Sequence, residues 1–496
     1  MGHGFRIRTI EDERAYHNTA VLIYLKAFRD VMGETDIRIG NSLNQGYFTY
    51  AHTDRPLTTT DIHKIWNRME ALVEKDIEIV IEHEKAADAA KMWRDAGCKE
   101  KAELLEGRDP EELVEIANID GYRNCMYSRV LPSTGYVDMF ELRAYRNGLL
   151  LRLPNALSPD AIPQYRDDDK LYDAFAESKR MRKHTGIDYL ADLNRQIREG
   201  NADEVIRASE WLQRRQIDYF ADMIVRQDKK IVLIAGPSSS GKTTTAKRLC
   251  EAIAERKSEP LYLGTDDYFV EREETPIGED GKPDFEGLGA LDLNLFNSQM
   301  GNLIHGQEVD LPEFDFINGT KVFGKRITRL KKGQILVIEG IHSLNDMLTE
   351  SIDRKDKFKL YISPLTQMGV DRHNRISTAD ARLLRRMVRD NRDRGYDAAA
   401  TLEHWPKVRA GESINVFPYS SAADVVFNTS TVYETNLLRT YAEPLLKAID
   451  KDNPMYGEAQ RILNFMKYFD PITSSEAVPD YSILREFIGE RNQQAE

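Results

Sequence analysis

The run Gly236-Pro-Ser-Ser-Ser-Gly241-Lys242-Thr243 constrains this chain more than any other feature. It matches G-x-x-x-x-G-K-[ST], a loop whose backbone curls so that several N–H groups converge on one anion. The loop needs a strand before it and a helix after it, whose N-terminal dipole adds to the attraction. Both flanks are present: Ile231-Val-Leu-Ile-Ala235 is a continuous apolar run, and a helix is predicted over about 242–256. Gly236, Ser238, Ser239, Ser240, Gly241, Lys242, Thr243 and Thr244 are therefore predicted to cradle the phosphates of a nucleotide. Lys242 supplies a cation for the β- and γ-phosphates, and the Thr243 hydroxyl a ligand for Mg²⁺.

Further apolar runs occur at 260–263, 335–338, 358–362 and 424–427, with helical stretches between them. Short apolar strands alternating with helices predict an α/β domain, a parallel sheet with flanking helices, over 229–450. The third run ends in Glu339, placed to hold Mg²⁺ directly or through water. The second is followed by Thr265-Asp266-Asp267-Tyr268-Phe269. Ligands of open parallel sheets lie beyond the carboxyl ends of the strands, so Asp266 should share a crevice with Lys242 and Glu339. A carboxylate there can take the proton of an attacking hydroxyl. Neither the N-K-x-D of GTPases nor the L-S-G-G-Q of ABC ATPases is present. Arg382, Arg386 and Arg389, at i, i+4 and i+7, are predicted to present one guanidinium face that closes over a transferring phosphate. The alternative is a solvated face paired with Asp380, Asp390 and Asp393.

The 496 residues carry 69 Lys and Arg against 82 Asp and Glu, a net charge of −13. That balance makes a nucleic-acid partner unlikely for the chain as a whole. No apolar run is long enough for a membrane span, the N-terminus lacks an apolar signal core, and three scattered cysteines make no disulfide framework. A cytoplasmic setting is expected. Residues 1–155 mix helical spacing (16–31, 60–81) with strand signals (46–50, and 125–155 around a turn at Pro132–Gly135), an α+β pattern. Residues 156–228 read as a helical connector and 451–496 as a C-terminal tail.

Together, G-P-S-S-S-G-K-T-T, T-D-D-Y-F, L-P-E-F-D-F (311–316), V-I-E-G-I-H (337–342) and R-R-M-V-R-D resemble the uridine kinase and phosphoribulokinase branch of phosphate-loop kinases. The resemblance implies ATP as donor, Mg²⁺, and a small-molecule hydroxyl as acceptor. It implies that Asp266 is the base and that Lys242, Arg386 and Arg389 are catalytic. Arg394 would reach the nucleotide, and Asp266, Tyr268, Phe269, Glu286 and Phe314 would line the acceptor site. Uridine kinases carry Tyr where Phe269 and Phe314 stand and His where Gly319 stands, so the pyrimidine contacts are altered. A sugar or sugar-phosphate acceptor, as in phosphoribulokinases, is the nearest alternative. The N-terminal region resembles the second additional, editing-type domain of threonyl-tRNA synthetases, through His17-Asn-Thr-Ala-Val21, Asn44-Gln-Gly-Tyr-Phe48 and Leu131-Pro-Ser-Thr-Gly135. That family's H-x-x-x-H, Cys and His ligands fall here on His17, Val21, Met126 and Val130, so the metal site is expected to be lost and His17 to be structural. The pairing of the two domains resembles a group of bacterial nucleoside kinase-like proteins. A homo-oligomer stays open, and so does an ATP-switched tRNA- or RNA-binding regulator.

Overall fold

The computed structural model describes residues 3–278, 281–366 and 368–491. Its centre is a five-stranded sheet in the order 425–428, 357–363, 231–235, 336–339, 261–264, every neighbouring pair parallel. The strand Ile231–Ala235 is buried along its whole length, as a strand covered on both faces must be. It feeds the phosphate loop, which opens the helix Lys242–Ala254. All five apolar runs thus enter one α/β sheet. A two-stranded antiparallel hairpin, Val309–Asp315 with Thr320–Thr328, stands beside it.

The N-terminal part holds two antiparallel sheets. One pairs Asp36–Leu43, Gly46–His52, Gly148–Arg152 and Glu141–Tyr145; the other pairs Ile79–Lys85, Leu113–Ile119 and Tyr122–Asn124. The helix Ile10–Met32 starts at a Thr9/Asp12 capping box and buries Leu22, Ile23 and Leu25 in this part's core. Two local readings need correction. The helix expected to run to Ile81 stops at Glu74, because Asp76 turns the chain at φ +48° into the strand from Ile79. The strand pair near 125–155 is 141–145 with 148–152, turning at Arg146 (φ +50°), whereas Thr134–Tyr136 forms a 3₁₀ turn.

The stretches read as connector and tail pack into the α/β unit. Leu190, Ile206, Phe220 and Ile224 share one hydrophobic core with Val232, Ile234 and Phe427, and so do Ile472, Ile483 and Phe487. Among the described residues no helix is long and apolar enough to cross a membrane. Cys98, Cys125 and Cys250 are free thiols.

Candidate active site

The loop takes its shape from two left-handed residues, Ser239 at φ +58° and Gly241 at φ +85°. A Cβ on Gly241 would also lie 2.4 Å from Ile483, so this glycine serves both curvature and close packing. Lys242 Nζ donates to the carbonyls of Gly236 (3.0 Å) and Pro237 (3.1 Å), folding its charge back over the loop. Thr243 Oγ1 donates to Glu339 Oε1 at 2.9 Å, and Tyr262 donates to the same oxygen at 3.1 Å. The strand carrying Glu339 can approach the Asp266 turn because residue 340 is glycine: a Cβ there would sit 1.8 Å from Thr265 Oγ1.

Asp266 opens to the cleft, yet lies deep enough for the surrounding protein to push its carboxyl above the ordinary range. Lys242 and Arg394 oppose that shift and Asp267 adds to it. Burial likewise raises Glu339, with Lys242 pulling down and Asp266 pushing up. Burial and Glu412 raise Glu286, while Arg386 and Lys242 draw it down. These mutual influences bring Lys242, Asp266, Glu286, Glu339, Arg386 and Arg394 to one crevice, at the carboxyl ends of the strands. Asp267 locks the turn in place by accepting from Arg326 (2.7 Å) and from the Phe314 N–H (3.4 Å). Phe269, Phe314 and Phe316 form an edge-to-face cluster with centroids 5.1–6.3 Å apart.

The helix Thr378–Arg394 is capped by Ser377 and ends at Gly395 (φ +68°). Its arginines divide by function of position. Arg386, Arg389 and Arg394 all pair with the buried Asp390, at 3.2, 2.6 and 3.5 Å. Three guanidinium groups on one carboxylate leave a surplus of positive charge, and Arg386 already reaches Ser238 Oγ at 2.7 Å. Arg382 departs from the expected face. It is 2% exposed and clamps Glu412 with two bonds of 2.6 and 2.7 Å. Tyr268, expected at the acceptor, is instead a core side chain: fully buried, it donates to Gln299 at 2.7 Å and packs on Phe296.

Over residues 231–436 the chain matches the Phosphoribulokinase / Uridine kinase family. That segment is a P-loop kinase domain. A uridine kinase of Deinococcus deserti is 25% identical over 197 residues, 40% of this chain and 86% of that protein. A uridine kinase of Mycoplasma genitalium is 26% identical over 227 residues, 45% of this chain and 97% of its own. Among solved structures, a "possible uridine kinase" from Bacillus stearothermophilus aligns at 23% identity and a TM-score of 0.25, over 30% of this chain and 79% of that one.

The kinase domain holds features that the motifs did not announce. The Ser238 N–H, one of the loop amides expected to meet phosphate, is taken by Glu412 Oε1 at 2.7 Å. The hydroxyl of Thr244 donates to Glu486 Oε2 at 2.7 Å, and its N–H points at the same oxygen at 3.4 Å. Fully buried Arg385 binds Glu434 (2.6 Å) and the Thr429 carbonyl (2.9 Å) beneath the loop. Each of these acids lies far along the chain from the loop it serves, and no local pattern marks it. A carboxylate beside a phosphate site repels an incoming nucleotide by about 1 kcal/mol even in water at 4 Å. Glu486→Gln is thus expected to lower the ATP KM about fivefold, read from initial rates or calorimetric titration.

The residues present suit MgATP. Thr243 and Glu339 offer hard oxygen donors 2.9 Å apart, and Mg²⁺ commonly needs only one or two protein oxygens beside substrate phosphates and water. In the N-terminal part, both ring nitrogens of His17 are engaged, Nδ1 with the Tyr47 hydroxyl (2.9 Å) and Nε2 with the Pro154 carbonyl (2.7 Å). Val21 and Met126 are buried in the apolar core there.

Proposed function

We propose that this kinase transfers the γ-phosphoryl group of ATP to a hydroxyl of a nucleoside-like small metabolite. The reading rests chiefly on Asp266, a carboxylate of raised proton affinity facing Lys242 and Arg394 across the cleft. Asp266 takes the proton as the acceptor oxygen bonds to the γ-phosphorus, the bond to the β–γ bridging oxygen breaks, and ADP leaves. Lys242 and the loop amides hold the phosphates, while Arg386 and Arg389 neutralise charge on the group in flight and keep water out. Thr243 and Glu339 would hold Mg²⁺, which when bound neutralises the phosphates. Glu286 is placed to accept from acceptor hydroxyls. The Phe269–Phe314–Phe316 cluster provides faces on which a planar base can stack. Because it has no hydroxyl to read base edges, a sugar or sugar-phosphate acceptor is the second reading. We take 229–450 as the core of the kinase domain. On its sequence likeness, 1–155 is taken as an editing-type domain whose His17 serves structure.

A panel of nucleosides, free sugars and sugar phosphates offered with MgATP and scored by ADP release tests this. Stimulation by a nucleoside supports the first reading, and stimulation by sugars alone the second; release driven only by tRNA overturns both. Glu339→Gln should raise the Mg²⁺ concentration needed for half-maximal rate by about tenfold or more, the usual scale for losing one support of a metal site. A magnesium titration at saturating ATP checks it, and an unchanged requirement removes Glu339 from the metal site.

A further inference from the structure

A cavity of about 460 Å³ lies between the N-terminal part and the kinase domain. One wall is the helix Ile10–Met32 and the strand Gly46–His52; the other is Pro237, the segment leading into the helix Thr378–Arg394, and the helix Ala398–Asn415. None of Lys242, Asp266, Glu286, Glu339, Arg386 or Arg389 lines it. The Arg382–Glu412 clamp, bonded to the Ser238 carbonyl at 3.2 Å and to its N–H, stands between the two sites.

Five arginines face this cavity: Arg14, Arg375, Arg382, Arg409 and Arg461. Three are neutralised by the protein. Arg14 and Arg461 share Asp380 and Glu458, and Arg382 has Glu412. The other two have no ion-pairing carboxylate among the described residues. Arg375 lies over the Tyr47 ring, 4.8 Å from its centre. Arg409 has no carboxylate within ion-pairing distance among the described residues; its strongest acid influence is Glu13, which also lines the cavity and itself accepts from the Ala156 N–H. Burial lowers the Arg409 guanidinium, and Arg382 and Arg14 push it down further, against the opposing pull of Glu13 and, more weakly, of Asp380, which Arg14 and Arg461 already share. An enclosed cation crowded by like charge is costly unless an anion joins it. The volume matches pockets that take metabolites, and Tyr47 offers a ring face beside the cations.

We propose that this interdomain cavity binds a small oxyanion-bearing metabolite, a phosphate ester or a carboxylate, between Arg375 and Arg409. It is a second anion site, separate from the phosphate loop and independent of which acceptor the kinase uses. The test uses the full chain and inorganic phosphate and malonate as probes, followed by calorimetry. Lys242→Ala disables the loop, so the binding that remains reports the cavity. In that background, Arg375→Gln with Arg409→Gln should weaken the remaining binding at least tenfold, and Arg409→Lys should restore part of it. Retention of phosphate alone assigns a phosphate ester, and of malonate alone a carboxylate. Loss of all binding on Lys242→Ala, or binding untouched by the double substitution, overturns the proposal. Arg375→Gln alone should still weaken binding severalfold where the double variant does not fold.

Discussion

Asp266→Asn lowers kcat by about 10²- to 10⁴-fold while ATP binds as before. The amide keeps the shape of the turn, because Asp267, not Asp266, anchors it to Arg326 and the hairpin. What disappears is the proposed acceptor for the substrate proton. Since the folded protein raises this carboxyl, first by burial and then through Asp267, the acid limb of kcat/KM should lie above the ordinary carboxylate range. Activity falls as pH drops through it. Stability moves the other way. A carboxyl with raised affinity holds more protons folded than unfolded, so rising pH through that window costs stability. The asparagine variant escapes this cost and should melt higher than the parent at neutral pH, the expected exchange of stability for activity. Steady-state kinetics across pH and a melting curve decide the matter; near-normal turnover would remove Asp266 as the base.

The second large effect is structural. Arg385→Ala is expected to destabilise the kinase domain by about 3–5 kcal/mol, the scale for stranding one partner of a buried ion pair. Arg385 is fully buried under the phosphate loop, tied to Glu434, to the Thr429 carbonyl and to the Ser239 carbonyl at 3.4 Å. Its loss leaves Glu434 charged, with the Thr431 N–H its one remaining hydrogen-bond donor among the described residues. At roughly 2–4 °C per kcal/mol the midpoint should fall by about 6–20 °C. Replacing both Arg385 and Glu434 with methionine should recover much of that, since apolar packing commonly replaces a buried pair without loss. Thermal denaturation of the single and double variants distinguishes a charge effect from lost volume: if the double variant is no more stable than the single, the pairing is not the cause.

What the sequence shows and hides follows from distance along the chain. The phosphate loop is legible because its geometry is written in eight consecutive residues, and the strands because each is a short apolar run. Glu339 and Asp266 were reachable by one topological rule, that strand ends converge. Tyr268 misleads because, two residues beyond Asp266 in a 3₁₀ turn, it points to the opposite side, toward Gln299. The arginine periodicity is genuine, yet spacing cannot say whether a face meets solvent or Glu412, thirty residues on. Residues 187–224 look polar and helical, and 459–488 read as one short helix and a Pro-containing, irregular end; composition gives no sign that their apolar side chains complete the kinase core. The N-terminal strands suffer the same ambiguity at their ends, where helical and extended periods overlap.

The contact between Thr244 and Glu486 joins positions 242 residues apart, and Arg392 adds bonds to the carbonyls of Phe487 and Glu486. A ribosome adding about 5–20 residues per second needs roughly 12–50 s to travel that far. For that interval the loop and its helix emerge without the segment that Ile483 and Phe487 supply to their core. The nascent kinase therefore exposes for tens of seconds the apolar surface that Ile483 and Phe487 later cover.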